Sequence, residues 1–124
     1  MKNLLILILF LVAGYQAWDR FAPKTSVAPL EARSYIAVYG RDTCGWTQRA
    51  LQVFERNGVN YRYFIVDDRQ VAQRLHSRMQ AAGLSTGRYQ LPVIDVNGEM
   101  MVRPDPEMVL GRYRDRLYQQ AGYR

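Results

Sequence analysis

The only cysteine of the chain, Cys44, stands in Tyr39-Gly40-Arg41-Asp42-Thr43-Cys44-Gly45-Trp46-Thr47. As a thiolate it would be a nucleophile for thiol–disulfide exchange. The alternative is a small buried hydrophobe, the commonest role of a lone cysteine. Its neighbours Arg41, Asp42, Thr43 and Gly45 are polar or tiny. It also falls between two elements, where functional residues concentrate. Both features argue for an exposed, reactive thiol.

Two elements must position it. Tyr35-Ile36-Ala37-Val38-Tyr39 is a short apolar run bounded by polar residues and reads as a buried strand. A helix then spans about Cys44 to Arg56, with Ala50, Leu51, Val53 and Phe54 forming its apolar face. The thiol would sit at the positive end of that helix dipole, which favours the thiolate.

Composition excludes several chemistries. The 124 residues suffice for one domain of ordinary size. Lysine plus arginine number 17 and aspartate plus glutamate 11, a net charge of +6. The charge is nearly all arginine, scattered rather than run together, so no nucleic-acid motif emerges. It would suit an anionic ligand such as a carboxylate-bearing peptide. One cysteine rules out an internal disulfide, and with a single histidine, His76, a zinc site within one chain is not expected. His76 lies in a polar helical stretch and reads as a surface residue.

Leu4 to Val12 is unbroken apolar sequence, preceded by Lys2 and extended weakly to Trp18. It is short for a span of about 20 residues. Residues 1–18 are read as an uncleaved membrane anchor, with a cleaved signal peptide as the alternative. Trp18 and Arg20 would form its interfacial end. Positive residues flank the run on both sides, Lys2 before and Arg20 and Lys24 after, so the side of the membrane is undetermined. Cleavage would instead make the domain periplasmic or secreted. Residues 19–32, with Pro23 and Pro29 and no periodicity, read as a linker, and residues 33–124 as the folded domain.

Within that domain, Asn57-Gly58 ends the first helix and Tyr61 to Val66 is a second strand. Asp67-Asp68 sits where a helix N-cap is wanted, followed by a helix over about Arg69 to Ala82 with Val71, Leu75 and Met79 on one face. Leu91-Pro92-Val93-Ile94-Asp95-Val96 is a third strand. Asn97-Gly98 is a hairpin signal, and Glu99 to Val102 pairs back. Asp105-Pro106-Glu107 opens a last helix, with Asp105 as N-cap and Met108, Val109, Tyr113 and Leu117 as its apolar face. The order β-α-β-α-β-β-α, with a right-handed crossover between the first two strands, gives an α/β fold: a four-stranded mixed sheet with flanking helices.

This order, with a cysteine after strand one and a proline opening strand three, resembles the thioredoxin fold, and its details resemble the glutaredoxins. The resemblance covers about Tyr35 to Tyr118. It rests on Arg41-Asp42-Thr43-Cys44-Gly45-Trp46-Thr47, Asn57-Gly58-Val59-Asn60-Tyr61, Gln90-Leu91-Pro92 and Asn97-Gly98-Glu99. It implies glutathione as cosubstrate and Cys44 as nucleophile. Arg41 would help hold glutathione and lower the thiol pKa, and Trp46 would be the aromatic of the motif. Leu91, before a cis Pro92, would leave its amide and carbonyl unpaired for strand-like pairing with the peptide. Gln90 or Arg88 would meet a carboxylate, or be ordinary loop residues. Asp105 would help bind the γ-glutamyl end, besides its role as N-cap.

Two departures follow. Thr47 replaces the second cysteine, so a dithiol mechanism within the chain is impossible. Val102-Arg103-Pro104 stands where a glycine pair usually follows strand four. The first functional reading is a monothiol glutathione-dependent oxidoreductase, acting on glutathionylated or disulfide-bearing proteins. The alternatives are a dimer sharing an iron–sulfur cluster through Cys44 and glutathione, or a non-catalytic module at a membrane. Only Asp42 and Thr43 separate Arg41 from Cys44. Cluster-carrying relatives have a longer loop there, so the spacing favours the redox reading.

Overall fold

The computed structural model describes residues 1–21 and 26–122, with residues 16–21 described by backbone alone. Pro23 and Lys24, and the side chains of Trp18 and Arg20, lie outside the described residues. The elements are α1 (Lys2–Phe21), β1 (Ile36–Gly40), α2 (Gly45–Arg56), β2 (Arg62–Ile65), α3 (Arg69–Ala81), β3 (Val93–Val96), β4 (Glu99–Val102) and α4 (Pro106–Gln120). In α1 the side chains from Leu4 to Val12 are all exposed. Among the described residues no helix is long and apolar enough to cross a membrane.

The sheet runs β2-β1-β3-β4. β1 is parallel to β2, with Ala37 beside Arg62, and antiparallel to β3, with Val38 opposite Ile94. β3 and β4 form the hairpin expected at Asn97-Gly98. All five residues of β1 are buried, which is why the strand reads as continuous rather than alternating apolar sequence. Ile36 and Val38 face Ala50, Leu51 and Phe54 of α2 and Val109 and Leu110 of α4. Tyr35, Ala37 and Tyr39 face Val71, Leu75 and Met79 of α3. Two apolar layers thus clamp the strand that delivers Cys44.

The helix signals act as read, with one change of phase. Asp68 accepts from the Gln70 amide at 2.9 Å and Asp105 from the Glu107 amide at 3.1 Å, so both cap their helices. In α4, Val109 and Leu110 are buried, whereas Met108 and Leu117 are exposed and Tyr113 is half-buried. The helix is rotated from the face the sequence suggested, because Leu110 enters the core in place of Met108.

The linker reading requires correction. Residues 26–32 are not a free tether but a strap laid on the domain. The Val27 amide donates to the Gly98 carbonyl at 2.7 Å, and Val27 packs on the α3-side core. The Ala28 carbonyl accepts from Arg78 at 3.0 Å, and the Leu30 amide donates to the Tyr35 hydroxyl at 2.9 Å. Among the described residues the packed domain therefore reaches back past Arg33 as far as Ser26, which bridges to Glu99. The close approach explains the glycine at 98. Its φ of +95° disfavours any L side chain, and a Cβ there would collide with the Val27 carbonyl.

Candidate functional site

β1 ends at Gly40, and the chain turns over Arg41-Asp42-Thr43, with the Cys44 amide donating to the Arg41 carbonyl at 3.1 Å. Cys44 is the N-cap of α2: its backbone is extended and its carbonyl receives the Gln48 amide at 3.1 Å. The first turn of α2 carries no acidic residue, so nothing opposes the dipole at the sulfur. Cys44 is half-buried, and its Sγ lies 3.9 Å from the Leu91 carbonyl oxygen.

The thiol pKa lies below its usual value. Burial alone would raise it, but the Thr47 hydroxyl and the Thr47 and Trp46 amides, available as donors to a negative sulfur, favour the thiolate, as does the Arg103 charge. Thr47 is fully buried, and its hydroxyl makes no hydrogen bond among the described residues, which leaves it free to donate to a negative sulfur. It is pressed so closely against Gly40 that a Cβ on that glycine would collide with the Thr47 side chain. The residue that replaces a second cysteine is thus a donor fixed at the sulfur.

The sulfur has the Leu91 carbonyl, Thr47, Trp46 and the charge of Arg103 around it. Trp46, Arg49, Pro92, Arg103, Pro104, Asp105 and Pro106 line a cavity of about 320 Å³. The Arg103 guanidinium lies 5.0 Å over the Trp46 ring and that of Arg49 lies 6.0 Å from it. The Leu91–Pro92 peptide is cis. Asp105 lines this cavity while capping α4, so both of its expected roles are compatible.

Several placements differ from expectation. The Leu91 carbonyl is not unpaired: it accepts from Arg103 Nε at 2.8 Å. Arg41 is turned to Asp67, Nε to Oδ1 at 2.9 Å, in an exposed pair, and the arginine acting on the thiol is Arg103. Arg88 and Gln90 are exposed on the loop before Leu91 and do not line the Trp46 cavity. His76 is not a plain surface residue; its Nε2 lies 2.7 Å from the Tyr89 hydroxyl and fastens that loop to α3. Sequence reasoning missed Tyr63, whose hydroxyl donates to Asp42 Oδ1 at 2.9 Å and anchors the turn before the cysteine. Its own pKa is pushed up to about 12, by burial first and then by the bond to Asp42. Arg103 was seen only as the loss of a glycine pair. The signal was that an arginine stands where glycine is usual, and its φ is indeed +43°.

The glutaredoxin family model matches residues 36–101, from the start of β1 into β4. The chain belongs to the glutaredoxin family. A solved glutaredoxin from Archaeoglobus fulgidus is 21% identical, with a TM-score of 0.51 over 67% of this chain and 89% of that one. At this identity the likeness speaks for the fold. Glutaredoxin 1 from Francisella tularensis, solved in complex with cacodylate, is 20% identical over 70% of this chain and 99% of that one, with a TM-score of 0.47. No curated protein matches. Family and fold are consistent with glutathione-dependent redox chemistry, and the single Cys44 makes this chain a one-cysteine variant of the family.

Proposed function

We propose that this glutaredoxin is a monothiol glutathione-disulfide oxidoreductase. The observation that carries the reading is a half-buried thiol of lowered pKa at the N-cap of α2, two residues before Trp46, which lines the neighbouring cavity. The Cys44 thiolate attacks the glutathione sulfur of a mixed disulfide. The sulfur–sulfur bond breaks, the substrate leaves as a thiolate that takes a proton from water, and Cys44 retains the glutathione. A second glutathione thiolate then attacks the glutathione sulfur, releasing glutathione disulfide and the Cys44 thiolate. The glutathione peptide would pair with Leu91, its γ-glutamyl end would lie near Trp46 and Asp105, and its glycine carboxylate would reach Arg41 or Gln90.

With no second thiol in the chain, the oxidised resting form should be Cys44 joined to glutathione. Intact mass after treatment with glutathione disulfide should show one glutathione per chain. Thr47→Cys should displace it by an internal disulfide, since residue 47 lies one turn on and already touches the sulfur's surroundings. Two results count against the proposal: a disulfide-linked dimer as the main wild-type product, or a Thr47→Cys chain that keeps its glutathione.

The apolar N-terminal helix is proposed to hold the domain at a membrane. Leu4 to Val12 would be the buried part, and the strap would keep the domain close to the bilayer. Full-length protein should stay with carbonate-washed membranes. A mature chain beginning near Tyr15 or Trp18 by mass spectrometry would mean a signal peptide instead.

A further inference from the structure

We infer that Arg103 is the positioning residue of this site: from the Leu91 carbonyl it holds the Cys44 sulfur in its reactive anionic form. This rests on the proposed thiol chemistry and adds the residue that tunes it.

One oxygen is shared by two groups. Arg103 Nε lies 2.8 Å from the Leu91 carbonyl oxygen and Cys44 Sγ lies 3.9 Å from it. A protonated sulfur would donate to that oxygen, which stabilises the thiol over the thiolate. After ionisation the proton is in solvent, and a negative sulfur faces a carbonyl oxygen. That repulsion has to be offset. Arg103 already donates to that oxygen and brings positive charge to the same spot. Its pose is fixed from three sides: the Nε bond, the Trp46 ring 5.0 Å beneath it, and its amide on the Pro92 carbonyl at 2.7 Å. These contacts hold a non-glycine residue at a φ of +43°, a conformation L residues seldom adopt.

The other charged groups around the sulfur are less suited. Arg41 is exposed and paired with Asp67. Asp42 accepts from Tyr63, and that tyrosine stays protonated. Arg49 lies farther over Trp46, at 6.0 Å, and Asp105 is engaged as the cap of α4. Among the described residues Arg103 pairs with no carboxylate, so its charge is undiminished.

The test uses iodoacetamide alkylation of the full chain against pH, which involves no glutathione. Arg103→Asn and Arg103→Gly suit a left-handed backbone and remove the charge; Arg103→Lys keeps it. Both neutral variants should raise the alkylation midpoint and slow the reaction at pH 7 by about threefold or more. Arg103→Lys should stay near wild type, and Arg41→Ala should leave the midpoint where it is. With a glutathionylated peptide the neutral variants should lower kcat. An unmoved midpoint in the folded Gly or Asn variant overturns the inference. So does an equal rise in Arg103→Lys. If the midpoints shift as expected but wild type fails to exchange glutathione, the oxidoreductase reading falls and the role of Arg103 stands.

Discussion

Cys44→Ser should abolish glutathione exchange and leave the domain folded. The two halves of this expectation come from one position. Cys44 is the N-cap of α2, with an extended backbone and no side-chain capping bond. Serine is among the best N-cap residues, and its oxygen can accept from the first-turn amides, which make no capping bond to the cysteine side chain. Helix stability should therefore hold, or rise by about 0.5 kcal/mol. The chemistry cannot survive, because the chain has no second sulfur nucleophile and an alkoxide is out of reach near neutral pH. Exchange with a glutathionylated peptide should fall to the uncatalysed rate, with an unchanged urea midpoint. In wild type the rate should rise with pH through the lowered thiol pKa and then level, since the thiolate is the reacting form. A Ser variant that melts early would mean that residue 44 does not cap the helix. Residual exchange would place the chemistry elsewhere.

What was legible in the sequence is what local physics decides. The caps Asp68 and Asp105, the Asn97-Gly98 hairpin and the doubly buried β1 all follow from residues a few positions apart. The cysteine's place at a helix start was legible for the same reason. What was not legible depends on partners far along the chain. The strap over 26–32 looks like a linker because its backbone partners are Gly98, Arg78 and Tyr35, none of which leaves a local period. The phase of α4 was set by which of two adjacent apolar residues reached the core, a tertiary choice between Met108 and Leu110. The site shows both kinds. Trp46 and Thr47 come with the helix, and Leu91 and Pro92 with strand three. Arg103 acts on the cysteine from the turn after β4, and the exchange of roles between Arg41 and Arg103 turns on Asp67, which takes the nearer arginine away.

Arg78→Ala should be the most destabilising single change outside the apolar core. Asp95 is wholly buried on β3, and its Oδ2 accepts from Arg78 at 2.6 Å and from the Tyr35 hydroxyl at 3.0 Å. Its Oδ1 accepts from the Gly98 amide at 2.7 Å. The Arg78 guanidinium also holds the Ala28 carbonyl, so one side chain ties α3, β3 and the strap together. Removing it leaves a buried carboxylate without its counter-charge, a change that costs about 3–5 kcal/mol. Total stability of a domain this size is about 5–15 kcal/mol, so the urea midpoint should drop steeply. Arg112→Ala is the contrast: its 3.8 Å pair with Glu99 has an arginine more than half exposed, and such pairs contribute under about 1 kcal/mol. A chain starting at Arg33 should share the defect in milder form, because it loses the Ala28, Val27 and Leu30 contacts but keeps the ion pair. Replacing both partners, Arg78→Met with Asp95→Leu, should recover much of the loss, as no charge is then left buried. If Arg78→Ala behaves like Arg112→Ala, Asp95 is reached by water and the strap is not held by this arginine.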